Sequence, residues 1–141
     1  MKILDMECAR IGKEIADKVF EKLREKNKTE TLITKSLGVL QEDGIYASLL
    51  YLEAQGKKKQ DGTKSPEKQA AEVIRDLNYK LLQQNIPGDL LIGEDNALDG
   101  IRNKLADNLD ALLLAKELLE RTLIYARYHA KALSNETSGG A

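Results

Sequence analysis

The stretch DNLDALLLAKELLERTLIYARYHAKALS, residues 107–134, decides how the rest of the chain is read. Leu109, Leu112, Leu113, Leu119, Leu123, Ala126, Ala130 and Leu133 recur in it at steps of three and four. That spacing lines them along one side of an α-helix and leaves Asp110, Glu117, Glu120, Arg121 and Lys131 largely outside the stripe. Neither Pro nor Gly interrupts it, so a rod of about 40 Å is predicted, with Asp107 as N-cap and Ser134-Asn135 as the stop. Asp107, Asp110, Glu117 and Glu120 fill its first half and Arg121, Arg127, His129 and Lys131 its second, the order of signs that the helix dipole favours. An apolar stripe of this length must be covered, so the other helices are expected to lie against it.

Upstream, Leu4, Cys8, Ile11, Ile15, Val19, Phe20 and Leu23 mark an amphipathic helix over residues 3–26, broken by Asn27-Lys28-Thr29. Residues 30–42 form a second, with Ile33, Leu37 and Leu40 on its apolar face. Gly38 in its middle costs about 1 kcal/mol relative to Ala, which close packing of another backbone would offset. Asp43-Gly44 is a turn signal that fits a β-hairpin as well as a helix break. The run after it, Ile45 to Leu52, lacks β-branched residues beyond Ile45 and is read as a buried helix ending at Gln55-Gly56. Residues 56–65 hold no core anchor and are read as a mobile loop. Ser65-Pro66 then opens a helix carrying Ala70, Val73, Ile74, Leu77 and Leu81 as far as Gln84. Leu90-Leu91-Ile92 makes the greasy centre of a second loop, and a short helix around Leu98, Ile101 and Leu105 leads into the rod. The expected fold is all-α: a single-domain bundle of roughly five to six helices over residues 1–134, packed around the long C-terminal helix, with residues 135–141 as a flexible tail.

The chain of 141 residues can bury a core without staples, and its single cysteine, Cys8, falls on the first apolar stripe. No disulfide framework is possible within one chain. A reducing, cytoplasmic setting fits, since no apolar run approaches a membrane span and no signal-peptide pattern opens the sequence.

Catalytic and metal motifs are hard to assemble from these residues. His129 is the only histidine, and the residue three before it is Ala126, so a di-iron Glu-x-x-His pair cannot form. Zinc lacks ligands. The calcium-loop echo at residues 95–100 puts Ala97 and Ala106 where ligands belong. No metal or other cofactor is expected. A carboxylate site around Asp89, Glu94, Asp95 and Asp99 is the remaining way for the chain to be an enzyme.

Charge says more. The net charge of −1 excludes a generally basic nucleic-acid binder, so any RNA contact must be a local patch. Residues 57–82 carry seven basic against four acidic side chains, led by Lys57, Lys58 and Lys59. These lysines fit either a solvated loop or contacts to phosphates. Arg127 and Lys131, with Arg121 and Tyr128 nearby, make a second patch that could meet RNA or pack on a neighbouring subunit.

Residues 32–56, LITKSLGVLQEDGIYASLLYLEAQG, resemble the small all-helical subunit of the type III-B CRISPR-Cas effector, the Cmr complex. In that family an apolar helix ends in a polar residue, Gly and a bulky aliphatic, followed by a further apolar helix with a Lys- or Gly-marked end. Leu37, Gly44, Ile45, Leu49, Tyr51 and Gly56 stand in those places. Arg10, Ala16 and Val19 extend the resemblance into the first helix, and Glu117, Arg127, Tyr128, Ala130 and Leu133 into the last. The sequence departs from the family where a Trp and a Lys often precede the Arg-aromatic pair: here it reads Ile124-Tyr125-Ala126, and residues 56–65 look like an insertion.

The resemblance implies a subunit without chemistry of its own. It implies copies stacked as a filament beside the subunits that carry the crRNA, helping to hold target RNA. Its partners would be those subunits, other copies of itself, and crRNA and target RNA through the assembled complex. The related type III-A small subunit is a helical bundle too. A helical adaptor that pairs with a partner helix through Leu90-Leu91-Ile92 is the other non-enzymatic alternative.

Overall fold

The computed structural model describes residues 2–56, 58, 61–91, 93 and 95–133. They form six α-helices: α1 (Lys2–Leu23), α2 (Lys26–Asp43), α3 (Ile45–Glu53), α4 (Pro66–Asn85), α5 (Ala97–Gly100) and α6 (Leu109–Lys131). A 3-10 turn (Pro87–Asp89) follows α4, and a π-turn (Ile101–Leu105) continues α5. The bundle is all-helical, and no β-strand occurs among the described residues. The expected tail and the Ser134-Asn135 stop lie outside them. Among the described residues no helix is long and apolar enough to cross a membrane.

The breaks have local causes. Arg24 takes a left-handed φ of 63°, which ends α1 there, and α2 restarts at Lys26, so Asn27-Lys28-Thr29 is helical and not the predicted break. Thr29 can be buried because its hydroxyl donates to the Glu25 carbonyl at 2.8 Å; Ser36 and Thr122 satisfy their hydroxyls the same way on Leu32 and Leu118. At Gly44, φ is +95°, a conformation that strains any side chain, and its N–H still reaches the Leu40 carbonyl at 3.0 Å. The Asp43-Gly44 turn therefore joins two helices. Ser65 caps α4 by accepting the Lys68 N–H at 3.2 Å, with Pro66 just inside the helix, as the sequence implies.

Two helices, α1 and α6, make the spine. Leu4 shares a crevice with Leu114 and Leu118, the Cys8 thiol lies 3.6 Å from the Leu118 carbonyl oxygen, and Gly12 faces Thr122, Tyr125 and Ala126. The contacts climb both helices together, so the two run parallel. A Cβ on Gly12 would sit 2.7 Å from Tyr125 Cβ and 2.8 Å from the Thr122 carbonyl oxygen. This is the close backbone approach expected at Gly38, where a Cβ would meet nothing within 4 Å. Helix α2 covers another side of α6 in the opposite direction: Lys116 donates to the Gln41 carbonyl at 3.5 Å and Lys131 lies 3.9 Å from Glu30. Helix α4 leans mainly on α1, and α3 bridges α2 and α4.

The stripe on α6 is rotated in its first half. Ala111, Ala115 and Leu118 are buried there, while Leu109 and Leu113 are exposed. Four leucines between residues 109 and 114 allow more than one stripe, and the alanines win because they let neighbouring helices come close. The cap also moves by one residue. Asn108, not Asp107, accepts the Ala111 N–H, at 3.0 Å, and residues 106–108 separate the π-turn from the rod.

The described residues of both loops make local contacts. Lys58 and Lys64 pair in an isolated antiparallel bridge, and the Asp61 carboxylate accepts the Thr63 N–H at 2.9 Å. In the second loop Leu91 is fully buried, its carbonyl accepting from Gln83 at 3.2 Å. Leu91 thus belongs to the core and cannot offer a partner helix an apolar edge; Ile92 lies outside the described residues.

Candidate nucleic-acid interface

The antiparallel packing sorts the molecule into two ends. One gathers the starts of α1, α3 and α6 with the end of α2; the other gathers the end of α1, the starts of α2 and α4, and the end of α6. The basic candidates fall mostly at the second end. Lys58 is exposed on the bridged loop, whose base is held where Gly56 abuts Ser65 and Lys68. Lys57 and Lys59 lie outside the described residues. Lys64 is engaged by Glu72 at 2.8 Å.

On α6 the three expected cations do not act together. Arg121 reaches back to α1, donating to Asp5 at 3.0 Å, and also to Glu117 at 3.3 Å. The Tyr125 hydroxyl donates to the same Asp5 carboxylate at 2.9 Å. Tyr125 first, then Arg121, hold the Asp5 carboxyl below its usual range. Arg121 is therefore a brace across the α1–α6 seam, with its charge spent on carboxylates. Arg127 and Lys131, four residues apart, share the other side of the helix, and Lys131 is exposed with Glu30 as a distant partner. The Arg127 guanidinium stands 5.6 Å from the centroid of the exposed Tyr128 ring, and its Nε is buried without a hydrogen-bond partner among the described residues. A cation over an exposed ring is an arrangement on which a base can stack.

Sequence reasoning missed a third feature. An open groove of about 300 Å³ is lined by Leu23, Leu32 and Tyr51, with Lys28, Lys35 and Glu67 on its sides. Lys28, Thr31 and Lys35 follow one face of α2, a pattern hidden when Asn27-Lys28-Thr29 is read as a break. At the opposite end a groove of about 450 Å³ runs between Ile45, Tyr46, Ile101, Ala106 and Leu112.

The catalytic alternatives gain no geometry. Cys8 is fully buried, and burial pushes its thiol pKa up, the reverse of what a nucleophile needs. Asp99 is bound to Arg102, and Asp95 is exposed. The Glu94 position and the Asp89 side chain fall outside what is described. Among the described residues no cluster of three or more His, Cys, Asp or Glu side chains is placed to hold a metal ion. Compared with known protein families, curated proteins and solved structures, the chain matches none.

Proposed function

We propose that this chain is a non-catalytic small subunit of a type III-B CRISPR-Cas effector, stacked beside the crRNA-bearing subunits in the cytoplasm and helping to hold target RNA. The observation that carries the reading is the α2–α3 junction. The residues through which the sequence resembles that family have structural work there: Leu37, Ile45 and Leu49 are buried, and Gly44 makes the positive-φ corner between the helices. An all-helical body of six helices suits such a bead. Lys58 on one side and Arg127, Tyr128 and Lys131 on another supply basic and aromatic surface for RNA. Phosphate contacts of this kind position a strand without reading its sequence, which suits a complex whose guide does the reading.

Reversing Lys57, Lys58 and Lys59 to Glu is expected to weaken target-RNA binding by the assembled complex and to flatten its salt dependence. Unchanged affinity and slope would leave the loop a solvated insertion. Purification from the native host tests the larger claim: crRNA and backbone subunits must come with the chain, and the identity of those subunits separates type III-B from type III-A. A second reading, a helical adaptor, draws support from the Leu23–Leu32–Tyr51 groove, which is open and apolar. It requires a different protein, and no guide RNA, in that purification.

A further inference from the structure

The first two helices are joined by Arg24 and Glu25 alone, and nothing local favours the joint. Arg24 sits at a φ of 63°, a left-handed backbone that costs free energy for every residue but Gly. Glu25 is extended, at φ −134° and ψ 129°, and its side chain makes no cap hydrogen bond to α2. Lys22, Arg24, Glu25, Asn27 and Lys28 are exposed, so the bend itself is not packed into the core. Helix bonding runs up to the joint from each side: the Arg24 N–H donates to the Phe20 carbonyl at 2.8 Å, and the Thr29 N–H to the Glu25 carbonyl at 3.0 Å. Neither Gly nor Pro occurs from Lys13 to Leu37, so the sequence supports one unbroken helix of about 63 Å across both elements.

The buried side chains keep step through the joint. Cys8 and Ile15 on α1 and Thr29 and Ser36 on α2 fall on one seven-residue series, and Gly12, Val19, Ile33 and Leu40 fall on another. In a straightened helix the two series lie side by side and make one stripe of core positions. Lys22 and Lys26, at the joint, are the interruption in it. Two helices packed as a hairpin do not need to share a phase, because a turn can present the second one at any rotation.

We propose that α1 exchanges between two copies of this chain: Arg24 and Glu25 become helical, α1 and α2 run on as one helix, and α1 of each copy docks on α6 and α4 of the other. The contacts of α1 are then remade between copies, including Cys8 with Leu118, Gly12 with Thr122 and Asp5 with Arg121. What is added is the relief of Arg24 and the helix bonds of the joint. The phase of the stripe suits this pair. Two long helices lying antiparallel are related by a two-fold axis perpendicular to both, which leaves both bodies on the same side of them. Such a dimer needs the stripe to stay on one side of the helix through the joint, as it does. The partner is a second copy because its α1 is the helix that fits the α6 seam, and the exchange is independent of the CRISPR reading.

The test refolds the full chain from denaturant at high and at low concentration and resolves the products by size-exclusion chromatography with light scattering. A dimer that forms at high concentration and persists on dilution is expected, since undoing the exchange requires α1 to leave its seam. Lys26→Pro is the decisive variant. Position 26 opens α2 after an extended Glu25, where Pro fits the closed fold; inside a continuous helix it removes a hydrogen bond and clashes one turn back. It should lower the dimer's association constant more than about a hundredfold and leave the monomer's melting temperature unchanged or higher. Arg24→Gly removes the left-handed penalty and weakens the straight helix, so it should lower the constant at least about tenfold. Spin labels on Lys13→Cys and Lys35→Cys, both exposed positions, report the connection directly, Cys8 being buried beyond reach of the label. With labelled chain diluted into excess unlabelled chain, pulsed electron resonance should give a short in-chain distance in the monomer. In the dimer it should lengthen to about 33 Å, the rise of one helix from residue 13 to residue 35. The proposal is overturned if no dimer forms at high concentration, if Lys26→Pro or Arg24→Gly dimerises like the unaltered chain, or if the in-chain distance is the same in dimer and monomer.

Discussion

Leu113 and Leu123, one in each half of α6, meet opposite fates. From Leu118 to Ala130 the helix is clasped: Leu119, Leu123, Ala126 and Ala130 are buried, Gly12 presses against its backbone, and Arg121 and Tyr125 fasten it to Asp5. Nearer its start Leu109 and Leu113, leucines of the same kind, stand in solvent. Helix formation is common to both halves. What differs is the side of the helix on which each leucine falls: Ala111 and Ala115 take the covered side of the first half, and Leu109 and Leu113 the open one. Amphipathic spacing marks which side chains can be buried, and the packing of the surrounding helices decides which of the possible stripes is.

The sharpest way to break this contrast is to truncate the same side chain in each half. Leu123→Ala is expected to cost about 2–5 kcal/mol by opening a cavity in the closed seam. Leu113→Ala should fall within about 0.5 kcal/mol of the unaltered chain. Chemical denaturation of both variants checks this, and equal losses would mean that Leu113 is covered after all. A smaller effect separates two glycines. Gly12→Ala should destabilise by about 1–3 kcal/mol, because its methyl group would overlap the α6 backbone. Gly38→Ala should stabilise by up to about 1 kcal/mol, since its site is open and Ala is the better helix former. Thermal melts of the pair give opposite signs if the close approach is at Gly12.

The smallest effect is a pH dependence confined to the clasped half. The Asp5 carboxyl is held low by the Tyr125 hydroxyl and by Arg121. Its contribution to stability is therefore present above the ordinary carboxylate pKa of about 4 and is lost as pH falls through the lowered folded value. Asp5→Asn should melt lower than the unaltered chain near neutrality. The gap should narrow in acid below about pH 4 and stay constant above about pH 5. A gap that widened in acid would place the fastening elsewhere.

Most helices were legible because three- and four-residue spacing and local stop signals act within a few residues: Ser65-Pro66 starts α4 and Gly44 separates α2 from α3. The sequence is silent where distant residues decide. Arg121 looks like a free cation in the sequence, yet its partner, Asp5, is 116 positions away. Nothing local singles out Gly12 as the glycine that a far helix touches. Lys28 and Lys35 share a helix face only because the left-handed Arg24 lets α2 start at Lys26, upstream of Asn27-Lys28-Thr29. Of the candidate interface, the lysine loop and the Arg127–Lys131 pair were visible in sequence, while the groove required the ends of four helices to meet.

The parallel pairing of α1 with α6 also sets a timetable for assembly. The Cys8 to Leu118 contact joins residues 110 apart, whereas Ser48 reaches the Ser36 carbonyl across only 12. During synthesis α1 leaves the ribosome first of these six helices and α6 last, so the oily side of α1 must wait, half-sheltered by α4, for the strut that completes it. The nascent protein is thus most vulnerable to clumping and to proteases just before its final helix emerges, and the last helix acts as the latch that turns a loose clutch of hairpins into a finished body.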